Sequence, residues 1–144
     1  MINRVFQPQI TSLRGTGILV TSRPHRAKTR RQAFRFAFHG LQDAWKTQPN
    51  LRLQVFLGLG VIAAGLLCHL ALIEWLWVSF AIGFVIFAEL MNTTIEQAVD
   101  LVVGLRPDSL ARRVKDISAA CVLTAALLAS VIGALAFGQH LVHG

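Results

Sequence analysis

Glu89, Asn92, Glu96 and Asp100 stand at offsets of 0, 3, 7 and 11 in the stretch 89–100. On a helix those offsets put all four side chains on one stripe. An apolar run leads into the stretch from Trp75, so the stripe belongs to a membrane helix. A carboxylate at bilayer depth costs roughly 3 kcal/mol on insertion scales. Three carboxylates and an amide on one stripe therefore point to a protein interior, a bound cation or a polar substrate. Glu89 and Glu96 are about 10 Å apart along the axis. Glu96 falls near the inner interface and Glu89 two turns deeper.

Lys115-Asp116 opens the next apolar segment at a depth similar to that of Glu96. A carboxylate near the interface suits Mg²⁺, which takes oxygen ligands and arrives with substrate phosphates. A lysine suits a phosphate as a point charge. A carboxylate deeper in the bilayer suits proton abstraction. These are the parts for phosphoryl transfer to something dissolved in the membrane. The sequence contains no G-x-x-x-x-G-K-[ST], H-R-D or D-F-G motif, so a soluble-kinase mechanism is excluded. Asn92-Thr93-Thr94 also matches a glycosylation sequon; at an inner helix end that match is fortuitous.

The elements that must hold these groups follow from hydropathy and charge. The chain has 144 residues, 54% of them hydrophobic, with a mean hydropathy of +0.57. That excludes an ordinary soluble domain and fits one small polytopic membrane domain. The formal net charge is +7, and all 14 Lys and Arg lie in 4–52 or 106–115. Basic flanks mark the cytoplasmic side. The N-terminus and the 106–115 turn are thus expected inside, with the 68–74 turn and the C-terminus outside. The basic arm lacks the interleaved aromatics of a nucleic-acid surface, and no nucleic-acid partner is expected.

Residues 1–30 are basic and polar, without an acidic residue. They are expected to be a disordered tail, the other reading being an organellar transit peptide. Phe34, Phe38, Leu41 and Trp45 recur at spacings of 4, 3 and 4, which predicts an amphipathic interfacial helix over 31–47. Pro49 ends it. Transmembrane helices are predicted at about 51–72, 73–103 and 114–138, with a turn at 104–108 and a short basic helix at 109–113 before the last. Trp75 and Trp77 suit an aromatic belt at the outer turn. Cys121, Ala125, Ala129 and Gly133 predict a small-residue packing ridge at i+4 spacing. Cys68 and Cys121 fall near opposite faces, so they are expected unbridged. His69, His140 and His143 have no partner spacing and are expected exposed; His25 and His39 are given no role. Three helices barely bury a stripe as deep as Glu89, which points to a homo-oligomer.

The pattern Glu89-x-x-Asn92-x-x-x-Glu96-x-x-x-Asp100, followed by Lys115-Asp116, resembles the signature of the prokaryotic diacylglycerol kinase family, which includes the undecaprenol kinases. The resemblance covers about residues 31–138. Thr47-Gln48-Pro49-Asn50-Leu51-Arg52 is similar to the Thr-x-x-Asn-x-Arg stretch of the undecaprenol-kinase branch. The resemblance implies an all-α homotrimer in the bacterial inner membrane, phosphorylating a lipid hydroxyl with MgATP. It implies Glu89 as general base and Glu96 as the Mg²⁺ ligand. Asn92, Asp100, Lys115 and Asp116 then line the nucleotide and phosphate site together with Glu96. Glu89, Asn92 and Trp45 are expected on the lipid side. Two departures stand out. Gln48 replaces a glutamate that often serves as a second metal ligand, and a neutral amide binds a hard cation more weakly. Arg106-Pro107-Asp108 replaces the acidic-aromatic-His turn before the last helix.

Other classes remain open at this stage. A proton or cation relay explains the carboxylate stripe but gives Lys115-Asp116 no task. A non-catalytic scaffold would leave Glu89 replaceable. The carboxylates could instead be structural partners for Lys115 or for Arg113 of a neighbour, Asn92 interhelical glue, Asp100 a solvated helix-end charge and Lys115 a snorkelling lysine.

Overall fold

A computed structural model describes residues 29–104 and 107–143, with side chains as far as His140. The expectations for the basic tail up to residue 28, including His25, and those for Arg106 and the His143 side chain lie outside the described residues. Among the described residues every regular element is helical: α1 (Arg30–Thr47), α2 (Pro49–Leu67), α3 (Leu72–Val103) and α4 (Ser109–His143). Three of them, α2, α3 and α4, are long and apolar enough to cross a membrane.

Local chemistry sets the ends of these helices. Thr29 caps α1, its hydroxyl oxygen accepting from the Gln32 backbone N–H at 3.3 Å. Only Gln48 separates α1 from α2. It is extended (φ −108°, ψ 102°), as the residue before a proline must be, and Pro49 then starts α2 where its missing N–H costs nothing. α2 stops at Leu67, short of the expected end at 72. Cys68 and His69 turn the chain instead, with His69 in the left-handed region at φ 53°. The Glu74 carboxylate accepts from the Ala71 backbone N–H at 2.7 Å and starts α3. Gly104, at φ 62° and ψ −138°, ends α3 in a conformation only glycine takes without strain. Asp108 accepts from the Ala111 N–H at 2.8 Å and caps α4.

The separate basic helix expected at 109–113 does not exist. α4 runs unbroken from Ser109, because neither glycine nor proline interrupts 109–132. The 32 residues of α3 reach about 48 Å, longer than a hydrocarbon core of about 30 Å. Part of α3 therefore stands clear of any bilayer it crosses.

α3 is the central helix, packing most extensively on α4 and also on α2, while α1 touches α2. Its buried stripe runs through Val78, Ala81 and Ala88 into Glu89, Asn92 and Thr93. Two close approaches fix α2 on α3. A Cβ on Gly58 would come within 2.9 Å of Ile82 Cγ2, and one on Gly65 within 2.9 Å of Trp75 Cη2. The buried stripe on α4 is Ser118, Ala125 and Ala136, at spacings of 7 and 11. The expected i+4 ridge is only partly right, since Ala125 is buried while Cys121 is exposed. Steps of four drift about 40° per step round a helix, whereas steps of 7 and 11 stay on one line. Both cysteines are free.

Candidate functional site

The polar half of the α3 stripe is tied to both neighbouring helices. Glu89, only 3% exposed, accepts a hydrogen bond on Oε2 from Gln54 Nε2 of α2 at 3.1 Å. One turn on, Asn92 is held from two sides. Its Oδ1 accepts from the Ser118 hydroxyl of α4 at 2.6 Å, and its Nδ2 donates to Glu96 Oε1 at 3.0 Å. At the end of the stripe Lys115 Nζ reaches Asp100 Oδ1 at 2.6 Å, joining α4 to α3 again. From Glu89 to Asp100 the line is about 16 Å long at 1.5 Å per residue. A buried amide or carboxylate is expensive without partners, and these bonds are what make the buried stripe tolerable.

Beyond Asp100 the stripe opens into a cleft of about 610 Å³ where α3 ends and α4 begins. Asp100, Gly104, Asp108, Arg112, Lys115 and Asp116 help line it. Asp116 pairs loosely with Arg112 at 4.0 Å on an exposed surface. The cleft lining carries two cationic side chains, Arg112 and Lys115, against three carboxylates. A bare polyphosphate would be repelled by that balance. A polyphosphate carrying a divalent cation would fit it.

The sequence-predicted residues thus fall into two groups. Asp100, Lys115 and Asp116 meet at the cleft, while Glu89 and Asn92 are buried and Glu96 is half-buried along the stripe. Trp45 and Gln48 lie apart from this bonded set. Trp45, about 39% exposed, tilts against Phe56 with ring centroids 6.1 Å apart. Gln48 sits in the α1–α2 junction, its backbone N–H donating to Ala44 O. Two members of the line went unassigned in the sequence, Gln54 and Ser118. For Gln54 the signal was an amide inside an apolar helix. For Ser118 it was a hydroxyl three residues after Lys115, on the same face. Arg112 was likewise given no role.

Among the described residues no three His, Cys, Asp or Glu side chains gather into a metal cage. Mg²⁺ bound together with substrate phosphates needs only one or two protein carboxylates. Glu96 could hold such an ion: it is half-buried, with Oε1 on Asn92.

At the opposite end of the helices, His140 departs from expectation. It is partly buried, with Nε2 3.0 Å from Glu74 Oε2.

Two curated relatives resemble the chain. A diacylglycerol kinase of Synechocystis sp. is 40% identical over 101 residues, which is 70% of this chain and 58% of the relative. The chain thus spans little more than half of that protein. An undecaprenol kinase of Bacillus subtilis is 32% identical over 118 residues, which is 81% of this chain and 95% of the relative. The family model for prokaryotic diacylglycerol kinase matches residues 35–137, a span that holds all three sets of polar ties. With most of its length matched, the chain belongs to the prokaryotic diacylglycerol kinase family.

Proposed function

We propose that the chain is a lipid kinase that moves the γ-phosphoryl group of MgATP to the hydroxyl of diacylglycerol or undecaprenol. The observation that carries this reading is one α3 stripe that runs from an open, charge-mixed cleft at Asp100 to a buried carboxylate at Glu89, with three separate sets of polar ties holding it to α2 and α4. Phosphoryl transfer needs both ends, one for a polar nucleotide and one for a hydroxyl in an apolar setting. The names of the two relatives support the same chemistry and supply the two candidate acceptors. The stretch Thr47–Arg52 favours undecaprenol.

Each residue then has a task. Lys115, oriented by Asp100, meets the phosphates as a point charge, and Asp116 and Arg112 border the nucleotide. Glu96 would hold Mg²⁺ together with the phosphates, and the ion would offset the charge that develops on the transferred group. Gln48 is too far from an anionic donor in chemistry to replace a second carboxylate, so its share in metal binding is small. Asn92 fixes Glu96 from one side and is itself fixed by Ser118. Glu89 takes the proton of the lipid hydroxyl as that oxygen bonds to the γ-phosphorus. The bond from the γ-phosphorus to its bridging oxygen breaks, and ADP and the lipid phosphate leave. Trp45 lies on the lipid side with Glu89 and Asn92.

The positive flanks at 30–52 and 112–115 support a cleft and an N-terminus on the cytoplasmic side of a bacterial inner membrane. α1 lies in that interface, its Phe34 and Phe38 exposed to lipid. Three copies close the site, a reading supported by the large apolar side chains of α3, among them Phe80, Phe84 and Phe87, that stay exposed in the single chain. The test is transfer of labelled phosphate from ATP, with Mg²⁺, to each lipid presented in mixed micelles. Labelled lipid phosphate is expected. Folded protein that labels neither lipid would refute the reading.

A further inference from the structure

Gln54 has an unusual environment for a residue of a membrane-crossing helix. Its Nε2 donates to Glu89 Oε2 at 3.1 Å, while its Oε1 is buried and, among the described residues, has no hydrogen-bond partner. An unsatisfied buried acceptor opposes folding. A side chain kept only for packing would do better as leucine or methionine. The orphaned oxygen therefore marks a position retained for what its other end does.

That other end touches Glu89. A carboxylate has two oxygens, and a base uses one of them. The amide N–H engages Oε2, which leaves Oε1 to take a proton from an incoming hydroxyl. When Oε1 takes the proton, Oε2 becomes a carbonyl oxygen and still accepts from the same N–H. A lysine or arginine here would bind the ionised form far more strongly than the neutral one. The neutral amide holds the carboxyl in both. Few other charges bear on it. On α3 the nearest is Glu96, about 10 Å along the axis. On α2, Arg52 is about 160° round the helix from Gln54. α4 brings uncharged Ser118 to this level, and its Lys115 is engaged by Asp100.

We propose that Gln54 is the positioning residue of the transfer step, selecting Glu89 Oε1 as the proton acceptor and holding that carboxyl in place before and after the proton arrives. The proposal rests on Glu89 being the base. No group other than Glu89 changes protonation, and the proton comes from the lipid hydroxyl.

The test is the pH profile of lipid phosphorylation by the full chain, for wild type, Gln54→Met and Gln54→Glu, with Glu89→Gln alongside. Gln54→Met keeps the length and removes the donor. It is expected to lower kcat about tenfold, as a misdirected base does, with the KM for MgATP within about twofold of wild type. The acid limb of its kcat profile is expected to move to higher pH. Gln54→Glu sets a second carboxyl against the first and should move that limb further, by about one pH unit or more. MgATP binding reports folding, and if Gln54→Met does not fold, Gln54→Glu decides. Variants that lose activity with the wild-type pH profile would overturn the proposal, because a purely structural residue behaves that way. Full turnover by Glu89→Gln would instead sink the reading of Glu89 as base.

Discussion

The two ends of the three-helix unit are held together by different means. At the α2–α3 turn the contacts are mainly apolar and close, with the Glu74–His140 pair as a polar tie beside them. Leu70, Val78 and Ala136 are buried together, Trp75 and Phe137 pack around them, and Gly65 lets α2 lie against Trp75. At the α3–α4 turn the ties are polar: Gln54 to Glu89, Ser118 to Asn92 to Glu96, and Lys115 to Asp100. Close apolar packing has one good arrangement and resists change. Hydrogen bonds and ion pairs can be traded for bonds to a ligand at little net cost. The molecule therefore has a fixed end and an exchangeable end, and the proposed chemistry sits at the exchangeable one.

Substitutions at the two ends should behave differently, and the largest effect is expected at Glu89. Glu89→Gln removes the base and should cut lipid phosphorylation by about 10²–10⁴-fold, measured as initial rate at saturating lipid. Next is Glu96→Gln, which should abolish the Mg²⁺ dependence of nucleotide binding, read by equilibrium titration with and without the cation. Unchanged Mg²⁺ dependence would remove Glu96 from the metal site. Gly65→Leu belongs to the fixed end. Its side chain would collide with Trp75, and overpacking of that kind costs about 1–3 kcal/mol. The thermal midpoint in detergent should fall while the KM for MgATP holds. Ser118→Ala leaves Asn92 Oδ1 without its donor and should cost about 1 kcal/mol. Its signature is a rise in the KM for MgATP as Glu96 loosens, with a smaller change in midpoint. Glu74→Gln should do least, lowering the midpoint slightly through the His140 contact and leaving turnover intact.

Much of the polar stripe was legible from spacing, because one helix carries it. Glu89, Asn92, Glu96 and Asp100 share an α3 face by their offsets alone, and Pro49 and Gly104 mark real helix limits. What spacing did not reveal are contacts between helices. Gln54 and Glu89 are 35 residues apart, and α2 is apolar nearly all round, so its sequence does not say which face meets α3. Ser118 was hidden for a related reason: small residues on α4 occur at several spacings, and the i+4 row is more conspicuous than the 7-and-11 row that is buried. His140 lies 66 residues from Glu74, and no local pattern pairs them. The turn at 68–74 was expected, but the stop of α2 at Leu67 was not, because Leu66 to Leu72 is apolar enough to continue a helix and the turn is made by His69 in a conformation that histidine only occasionally adopts.

The central claim is that the line has a transfer end at Glu89 and a nucleotide end at Asp100 and Lys115. The most direct measurement takes one preparation of Glu89→Gln and determines both its MgATP affinity and its rate of lipid phosphorylation against wild type. The account predicts wild-type affinity with transfer all but lost. Affinity and transfer falling together would show that the line is a single undivided site and contradict it.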